Sequence, residues 1–344
     1  MRAAQSADIA NIAGLLNEVF AYDGIPIVQT VVELEEEFVA PCCTIENDVM
    51  VVQLDEKLIG VTWTYFLPSE SKEERCYIFG GVLPEFRQQG VGTELMTWAV
   101  QHGESLLRST GRTLPKYLRA SVSQQNESAS RLFGHFEMKP VRFEEDLIRN
   151  LANLPEENKN PKYSIVPWDS ARNEEARIVK NLAFQDHWGS TPNSSELWLQ
   201  MVNGSTARLD HSFFAVNQQQ EIVGLLLAHR YESDDDLLGK RIGWIDKLAT
   251  LAEHRKQSIA KNLIARALHS FAEDDLTHAA LSVDTQNPTG AYGLYASLGF
   301  ELYIGTTTYE RQINPVPSAR PKPATCGSRG PSLAIYVLWV SCGS

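Results

Sequence analysis

The sequence predicts two related α/β domains in tandem, and three observations carry that prediction. First, the segment Val82-Leu-Pro-Glu-Phe-Arg-Gln-Gln-Gly-Val-Gly-Thr-Glu-Leu-Met recurs as Thr250-Leu-Ala-Glu-His-Arg-Lys-Gln-Ser-Ile-Ala-Lys-Asn-Leu-Ile. Aligning Arg87 with Arg255 pairs Leu83 with Leu251, Glu85 with Glu253, Gln89 with Gln257, Val91 with Ile259 and Leu95 with Leu263. Second, the order of strand-like and helix-like segments around the two copies is the same. Third, a polar stretch rich in Asn, Pro and Glu, 150–162, separates them. Each copy runs from an apolar strand through an Arg-containing turn with small residues into a helix. Small residues let a ligand approach the backbone, and the unpaired N–H groups of a helix start point at it, so each turn is shaped for an anion such as a phosphate.

The elements follow in order. Ile9, Ile12, Leu15, Leu16 and Val19 recur at helical spacing near the N-terminus. Val49–Leu54 and Leu58–Phe66 read as strands joined by Asp55-Glu56-Lys57, and Tyr77–Leu83 as the strand feeding the turn. Thr93–Leu107 is amphipathic, with Leu95, Ala99, His102 and Leu106 on one face. Tyr117–Val122 is a strand, Glu127–Phe136 a short helix, and Val141–Ile148 the strand expected to close this half, giving a first domain over 1–149. The second domain, 163–313, repeats the order: a helix near 173–186, strands at Ser212–Asn217, Ile222–Arg230 and Ile242–Leu251, and a helix over Ser258–Ala272. A strand at Ala279–Asp284, a helix over Thr289–Leu298 and a last strand at Leu302–Arg311 complete it. Residues 314–344 change composition to Pro, Ser and Arg and are expected to be disordered.

The bulk properties exclude some classes. A length of 344 residues with 43% hydrophobic content supports two globular cores. The net charge of −12 argues against nucleic acid or an anionic membrane as partner, since both need a basic surface. Cys42, Cys43, Cys76, Cys326 and Cys342 form no CxxC pair and no metal-ligand spacing, so no metal is expected and the thiols read as free. No secretory apolar core opens the sequence and no apolar run reaches membrane-spanning length, which together predict a cytoplasmic protein.

On its motifs the chain resembles, in tandem, the GCN5-related N-acetyltransferase (GNAT) superfamily. The family's Arg/Gln-x-x-Gly-x-Gly/Ala turn is matched by Arg87-Gln-Gln-Gly90-Val-Gly92 and, with Ser for the first Gly, by Arg255-Lys-Gln-Ser258-Ile-Ala260. Its Asn…Ala-x-x-Leu-Tyr…Gly-Phe signature is similar to Asn287 through Ala291, Leu294, Tyr295, Gly299 and Phe300. The first half carries a weaker equivalent through Asn126, Ala129, Leu132 and Phe133. With His187-Trp-Gly-Ser in its second half, the chain is similar to the tandem group that includes mycothiol synthase. The resemblance covers about 3–312. It implies a mixed, twisted sheet flanked by helices in each domain, with acetyl-CoA as co-substrate.

The resemblance also implies site residues. The pyrophosphate would rest on the amides of Arg87, Gln88, Gln89, Gly90, Val91 and Gly92, or of Arg255, Lys256, Gln257, Ser258, Ile259 and Ala260, with Asn287 nearby. Pantetheine would lie along a splayed strand end, Gly80, Gly81, Val82 and Leu83 in one half or Leu248, Ala249, Thr250 and Leu251 in the other. Amide transfer needs a base for the acceptor's ammonium and an acid for the leaving thiolate. Tyr295 stands at the family's acid position, whereas the first half has Phe133, which has no proton to give. Ser258 is expected to keep its place at a helix start without a positive φ, weakening binding there but not abolishing it. Where relatives carry a basic Glu the second half has Trp244, so Asp246, two residues on and on the same strand face, is the local substitute. A salt-bridged Asp is the equal alternative, as is a base acting through water. Asp186 and Trp188 after the first helix of the second half, and His229 at a strand end, are acceptor-site candidates, each with a plain packing alternative.

The reading is an N-acetyltransferase whose second domain acetylates a small-molecule primary amine. Transfer in the first domain, resting on its intact Gly90 and Gly92, a non-catalytic acyl-CoA sensor, and a protein acetyltransferase are the alternatives.

Overall fold

The computed structural model describes residues 1–38, 42–67, 69–158, 160–185, 187–286 and 291–313. Asp186, Asn287 and the tail 314–344 lie outside the described residues. The chain folds into two compact units. Its elements are β1 (Arg2–Ala3), α1 (Ile9–Tyr22), α2 (Val31–Phe38), α3 (Ile45–Asp48), β2 (Val49–Leu54), β3 (Lys57–Leu67), β4 (Glu74–Val82), α4 (Val91–Ser109), β5 (Lys116–Ser123), α5 (Glu127–His135) and β6 (Lys139–Asn150). They continue as β7 (Tyr163–Pro167), α6 (Asn173–Ala183), α7 (Ser195–Asn203), β8 (Phe213–Asn217), β9 (Ile222–Arg230), α8 (Asp235–Leu238), β10 (Ile242–Thr250), α9 (Ile259–Glu273), β11 (His278–Asp284), α10 (Ala291–Ser297) and β12 (Glu301–Gln312). Among the described residues no helix is long and apolar enough to cross a membrane.

In the first unit the strand order is β1-β2-β3-β4-β5-β12, and in the second it is β6-β11-β10-β9-β8-β7. The β4–β5 and β10–β11 pairs are parallel, and the other pairs described within each unit are antiparallel. The last strand of each sequence half completes the other unit. Thr306–Gln312 of β12 pairs with Ser123–Tyr117 of β5, inside the unit formed by Met1–Phe143. Glu144–Asn150 of β6 pairs with Asp284–His278 of β11, inside the unit Glu144–Gly305. The strand read as closing the first half therefore pairs elsewhere. A period-two pattern states which face of a strand is buried, not which strand lies beside it.

Side chains secure both exchanged strands. Arg119 Nε donates to Glu310 at 2.7 Å, Ser121 and Thr308 hydroxyls meet at 2.8 Å, and Phe133 packs on Tyr309 at 5.2 Å in the first unit. In the second, Arg149 donates to the Leu298 carbonyl and sits over the Phe300 ring. Each unit has its own core. Leu16, Trp63, Ile78, Leu95, Ala99 and Leu118 lie in the first, and Leu226, Ile245, Leu263, Phe271 and Leu281 in the second. Helices α4 and α9, on which the two turns end, each lay one apolar stripe into these cores, Leu95, Ala99 and Leu107 in one and Leu263, Ala267 and Phe271 in the other.

Candidate functional site

Each unit contains a fork. The parallel ladder of β4 and β5 ends at Tyr77 with Arg119, although β4 runs on to Val82 and β5 to Ser123. That of β10 and β11 ends at Ile245 with Leu281, although the strands continue to Thr250 and Asp284. Backbone polar groups along the inner edges of a fork need partners other than the neighbouring strand. An extended ligand carrying its own amides could supply them. The Gly80–Leu83 and Leu248–Thr250 segments lie here. The Thr250 hydroxyl is buried with no hydrogen-bond partner among the described residues, so the end of this fork offers a polar atom that a ligand amide would satisfy.

A turn follows each fork, and the two have the same backbone. Gln88 and Gly90 have φ of 59° and 85°, and Lys256 and Ser258 have 61° and 62°. Gly90 and Ser258 cap α4 and α9 in the left-handed conformation. Alternation of left- and right-handed residues turns successive N–H groups to one side and makes an anion-binding concavity at a helix start. The expectation that Ser258 would avoid a positive φ is thus corrected. The reversal that exposes the helix amides requires the left-handed region there, and Ser occupies it at a cost of roughly 1–2 kcal/mol that Gly would not incur.

The two arginines brace these turns. Arg87 binds Asp23, at the end of α1, through two bonds of 2.8 and 3.0 Å, and donates to the Val82 carbonyl at 3.0 Å. Arg255 donates to the Ala183 carbonyl at the end of α6 at 3.1 Å and to Thr250 at 3.4 Å. Each ties the turn to its strand end and to the C-terminus of the first helix of its unit, where orphan carbonyls and the helix dipole favour a cation. Among the other turn residues, the Gln89 side chain donates to the Glu85 carbonyl at 2.9 Å. Gly92 and Ile259 are buried, and Val91, Gln257 and Ala260 are intermediate in exposure.

Tyr295, on α10, is 9% exposed and packs edge-on against Phe300 at 6.2 Å. Burial pushes its phenol up to about 12, so it keeps its proton at neutral pH. Phe133, its counterpart on α5, is fully buried.

Asp246 sits at a β-bulge, where the β9–β10 register shifts between Ile245 and Lys247, a device that re-aims a side chain. Both its oxygens accept from Lys247 Nζ at 2.9 Å, and His229 Nε2 is 3.8 Å away. Burial works to raise the Asp246 pKa, but Lys247 and then His229 outweigh it and leave the carboxyl below its usual range. Burial lowers His229, whose Nδ1 lies 3.1 Å from the Thr206 hydroxyl. His229 pairs across the sheet with Trp244, which meets Tyr231 edge-on at 6.4 Å. Trp188 lies beyond α6 with 36% of its surface exposed, next to His187, which packs on Phe184 at 4.5 Å.

Sequence reasoning missed Asp146. Ser282 is the first residue of β11 past the end of the parallel ladder, and its antiparallel partner on β6 is Asp146. Trp244 pairs with Ala280, two residues before Ser282, so Trp244, Ala280, Ser282 and Asp146 share one sheet face at the opening of the fork. Burial drives the Asp146 carboxyl up to about 7, against a hydrogen bond from Ser282, with the nearby Glu144 adding to the rise. The missing signal was the strand partner. Asp146 falls in the first sequence half but belongs to the second unit.

The Acetyltransferase (GNAT) family model matches residues 27–136 and again 175–300, and the chain belongs to that family, in two copies. No curated protein matches the sequence. Among solved structures, a GCN5-related N-acetyltransferase from Sphaerobacter thermophilus is similar at 22% identity, covering 91% of this chain and 95% of its own, with a TM-score of 0.69. A tandem GNAT protein from the clavulanic acid biosynthesis pathway is similar at 15% identity over 92% and 98%, TM-score 0.64. Saccharomyces cerevisiae N-myristoyltransferase with bound myristoyl-CoA follows at 11% identity over 89% and 80%, TM-score 0.62. At these identities the likeness speaks for the fold alone, and the family match carries the activity. The protein is an N-acetyltransferase of the acyl-CoA-dependent class, acting on an acceptor substrate.

Proposed function

We propose that the second unit transfers acetyl from acetyl-CoA to the primary amine of a small molecule, and that the first unit holds acyl-CoA without an acid of its own. The observation that carries this reading is the buried Tyr295 phenol, proton-bearing up to about pH 12, where the first unit has Phe133. The Arg255–Ala260 turn, with left-handed Lys256 and Ser258, would hold the pyrophosphate on its amides. The edge of Leu248–Thr250, with the unpartnered Thr250 hydroxyl, would accept the pantetheine arm. The thioester supplies an activated acyl carbon. Tyr295 hydrogen-bonds the departing sulfur and gives it a proton as the C–S bond breaks. Asp246, fixed as an anion by Lys247, the adjacent His229 and the half-exposed Trp188 are the acceptor candidates among the described residues. The Gly80–Leu83 and Gln88–Gly92 segments of the first unit form the second acyl-CoA cradle.

The test combines turnover and calorimetry. Tyr295→Phe should lower kcat about 10²-fold or more over a panel of small primary amines with acetyl-CoA affinity unchanged. Ser258→Glu should remove acetyl-CoA binding and transfer at the second unit by repelling the pyrophosphate, and Gly90→Glu should remove binding at the first alone. Transfer lost in Gly90→Glu but intact in the other two variants would invert the assignment.

A further inference from the structure

We infer that Asp146 is the catalytic base of the second unit, the carboxylate that takes the proton from the acceptor's ammonium. This rests on the second unit being the transferring one, and three observations carry it. The first is place. The carboxyl is carried by β6 beside Ser282, the first β11 residue beyond the point where β10 and β11 part, on the same sheet face as Trp244 and His229. A base there stands at the opening of the fork, just past the end of the ladder.

The second is the contrast between the two forks. In the first unit the corresponding ladder ends at Tyr77 with Arg119, and the residue that matches Ser282 when Asn126 is aligned with Asn287 in the repeat is Ser121, two residues past that end rather than one, whose cross-strand partner is Thr308. Those two hydroxyls bond each other at 2.8 Å. Ser is kept in both units, and its partner is Thr in the first and Asp in the second. The carboxylate thus occurs in the unit that also has the Tyr acid, although nothing links Asp146 and Tyr295 in sequence.

The third is the surroundings. Among the described residues, the ionisable groups that act with Asp146 are Glu144 on its own strand and Tyr303 of β12, and Asp234, which precedes α8, also acts on Tyr303. None of these is a cation, so no ion pair pins the Asp146 carboxyl in its charged form, in contrast to Asp246 on Lys247. A base is most effective when its proton affinity is near the working pH, and burial places Asp146 there, at about 7. The step balances. Asp146 accepts one proton from R–NH3⁺, the freed nitrogen lone pair forms the C–N bond, and the C–S bond breaks as the sulfur takes the Tyr295 proton; the nitrogen then sheds its second surplus proton, which restores the Tyr295 phenol through solvent and leaves the neutral amide. Asp146 then returns its proton to water.

The test follows transfer from acetyl-CoA to butylamine, a minimal primary amine, between pH 5.5 and 9, with carbon-13 carboxyl titration of the same full-length proteins. Wild type should show a carboxyl titrating near 7 that is absent in Asp146→Asn, and kcat/KM should rise with pH through that same value. Asp146→Asn should lose about 10²-fold in kcat/KM at pH 7, lose that limb, and keep its acetyl-CoA affinity. Asp146→Thr, which recreates the pairing of the first unit, should match it, so that a folding defect peculiar to Asn is told apart. Activity within threefold of wild type in both variants, or a carboxyl titrating near 4, overturns the inference. Tyr295→Phe is run alongside. If it is also silent, the assignment of transfer to the second unit fails. If Tyr295→Phe is impaired while the Asp146 variants are not, only the base is wrong. A wild type that leaves butylamine unacetylated across this pH range overturns the inference as stated.

Discussion

Glu37 and Asp146 hold their protons to about pH 7 for the same reason: burial outweighs a single neutral hydrogen bond to each. The Glu37 carboxylate accepts from Trp63 Nε1 at 2.8 Å in the first unit, with Glu33 adding repulsion. The consequence for stability has a definite sign. The folded state binds this proton more tightly than the unfolded chain, so the stabilisation is full below about pH 4.5 and is lost as pH rises through 7. Glu37→Gln, which keeps an oxygen for Trp63, should therefore leave thermal stability near wild type at pH 4.5. At pH 8 it should raise the melting temperature by on the order of 5 °C. A difference that is constant across this range would show that the carboxyl does not titrate there. Single residues were unevenly legible in the sequence. Tyr295 was singled out because a whole signature surrounds it. Asp246 was singled out by strand alternation, but the clamp of Lys247, its own neighbour in sequence, shows only in side-chain geometry. Glu37 and Asp146 gave no signal, since a lone carboxylate in an ordinary helix or strand reads as solvated until its neighbours in space are known.

At the scale of elements, the forks and turns were the most legible part of the chain. The repeat of Arg87–Gly92 at Arg255–Ala260 predicted two equivalent strand-turn-helix devices, and the backbone repeats down to the positions of positive φ. What the repeat could not state is how tightly each strand must lie against its neighbour. Gly80, at φ 152°, has the Val61 carbonyl oxygen 2.3 Å from where a Cβ would stand, and backbone cannot move aside as a side chain can. Gly80→Ala should cost about 3 kcal/mol or more in urea denaturation and abolish acyl-CoA binding in the first unit, while the second unit binds as before. A loss under about 1 kcal/mol would mean that β3 yields there and that the close approach is not structural.

For the whole molecule, the exchange of final strands sets the behaviour of the halves. The order of elements and the two cores were legible from periodicity. The exchange was not, because both closing strands carry similar alternation and either could fill either edge. A polypeptide ending at residue 149 lacks Thr306–Gln312, and one beginning at 163 lacks Glu144–Asn150 and with it Asp146. Each half expressed alone should aggregate or show little protection from hydrogen exchange. Protein cut within 150–162 after folding should elute as one species in native size-exclusion chromatography and separate only in denaturant. Two independently stable, freely separating halves would contradict the pairing described.

The same exchange has a consequence in time. On the ribosome β5 emerges long before its partner, since about 190 residues separate Ser123 from Gln312. At about 5–20 residues per second, roughly 10–40 s pass before that partner has been made. During that interval Lys116–Ser123 is a nascent sheet edge with its hydrogen-bonding groups open to any passing strand. The buried Arg119, which finds Glu310 only once β12 has been made, keeps a charge on that edge for as long as it waits.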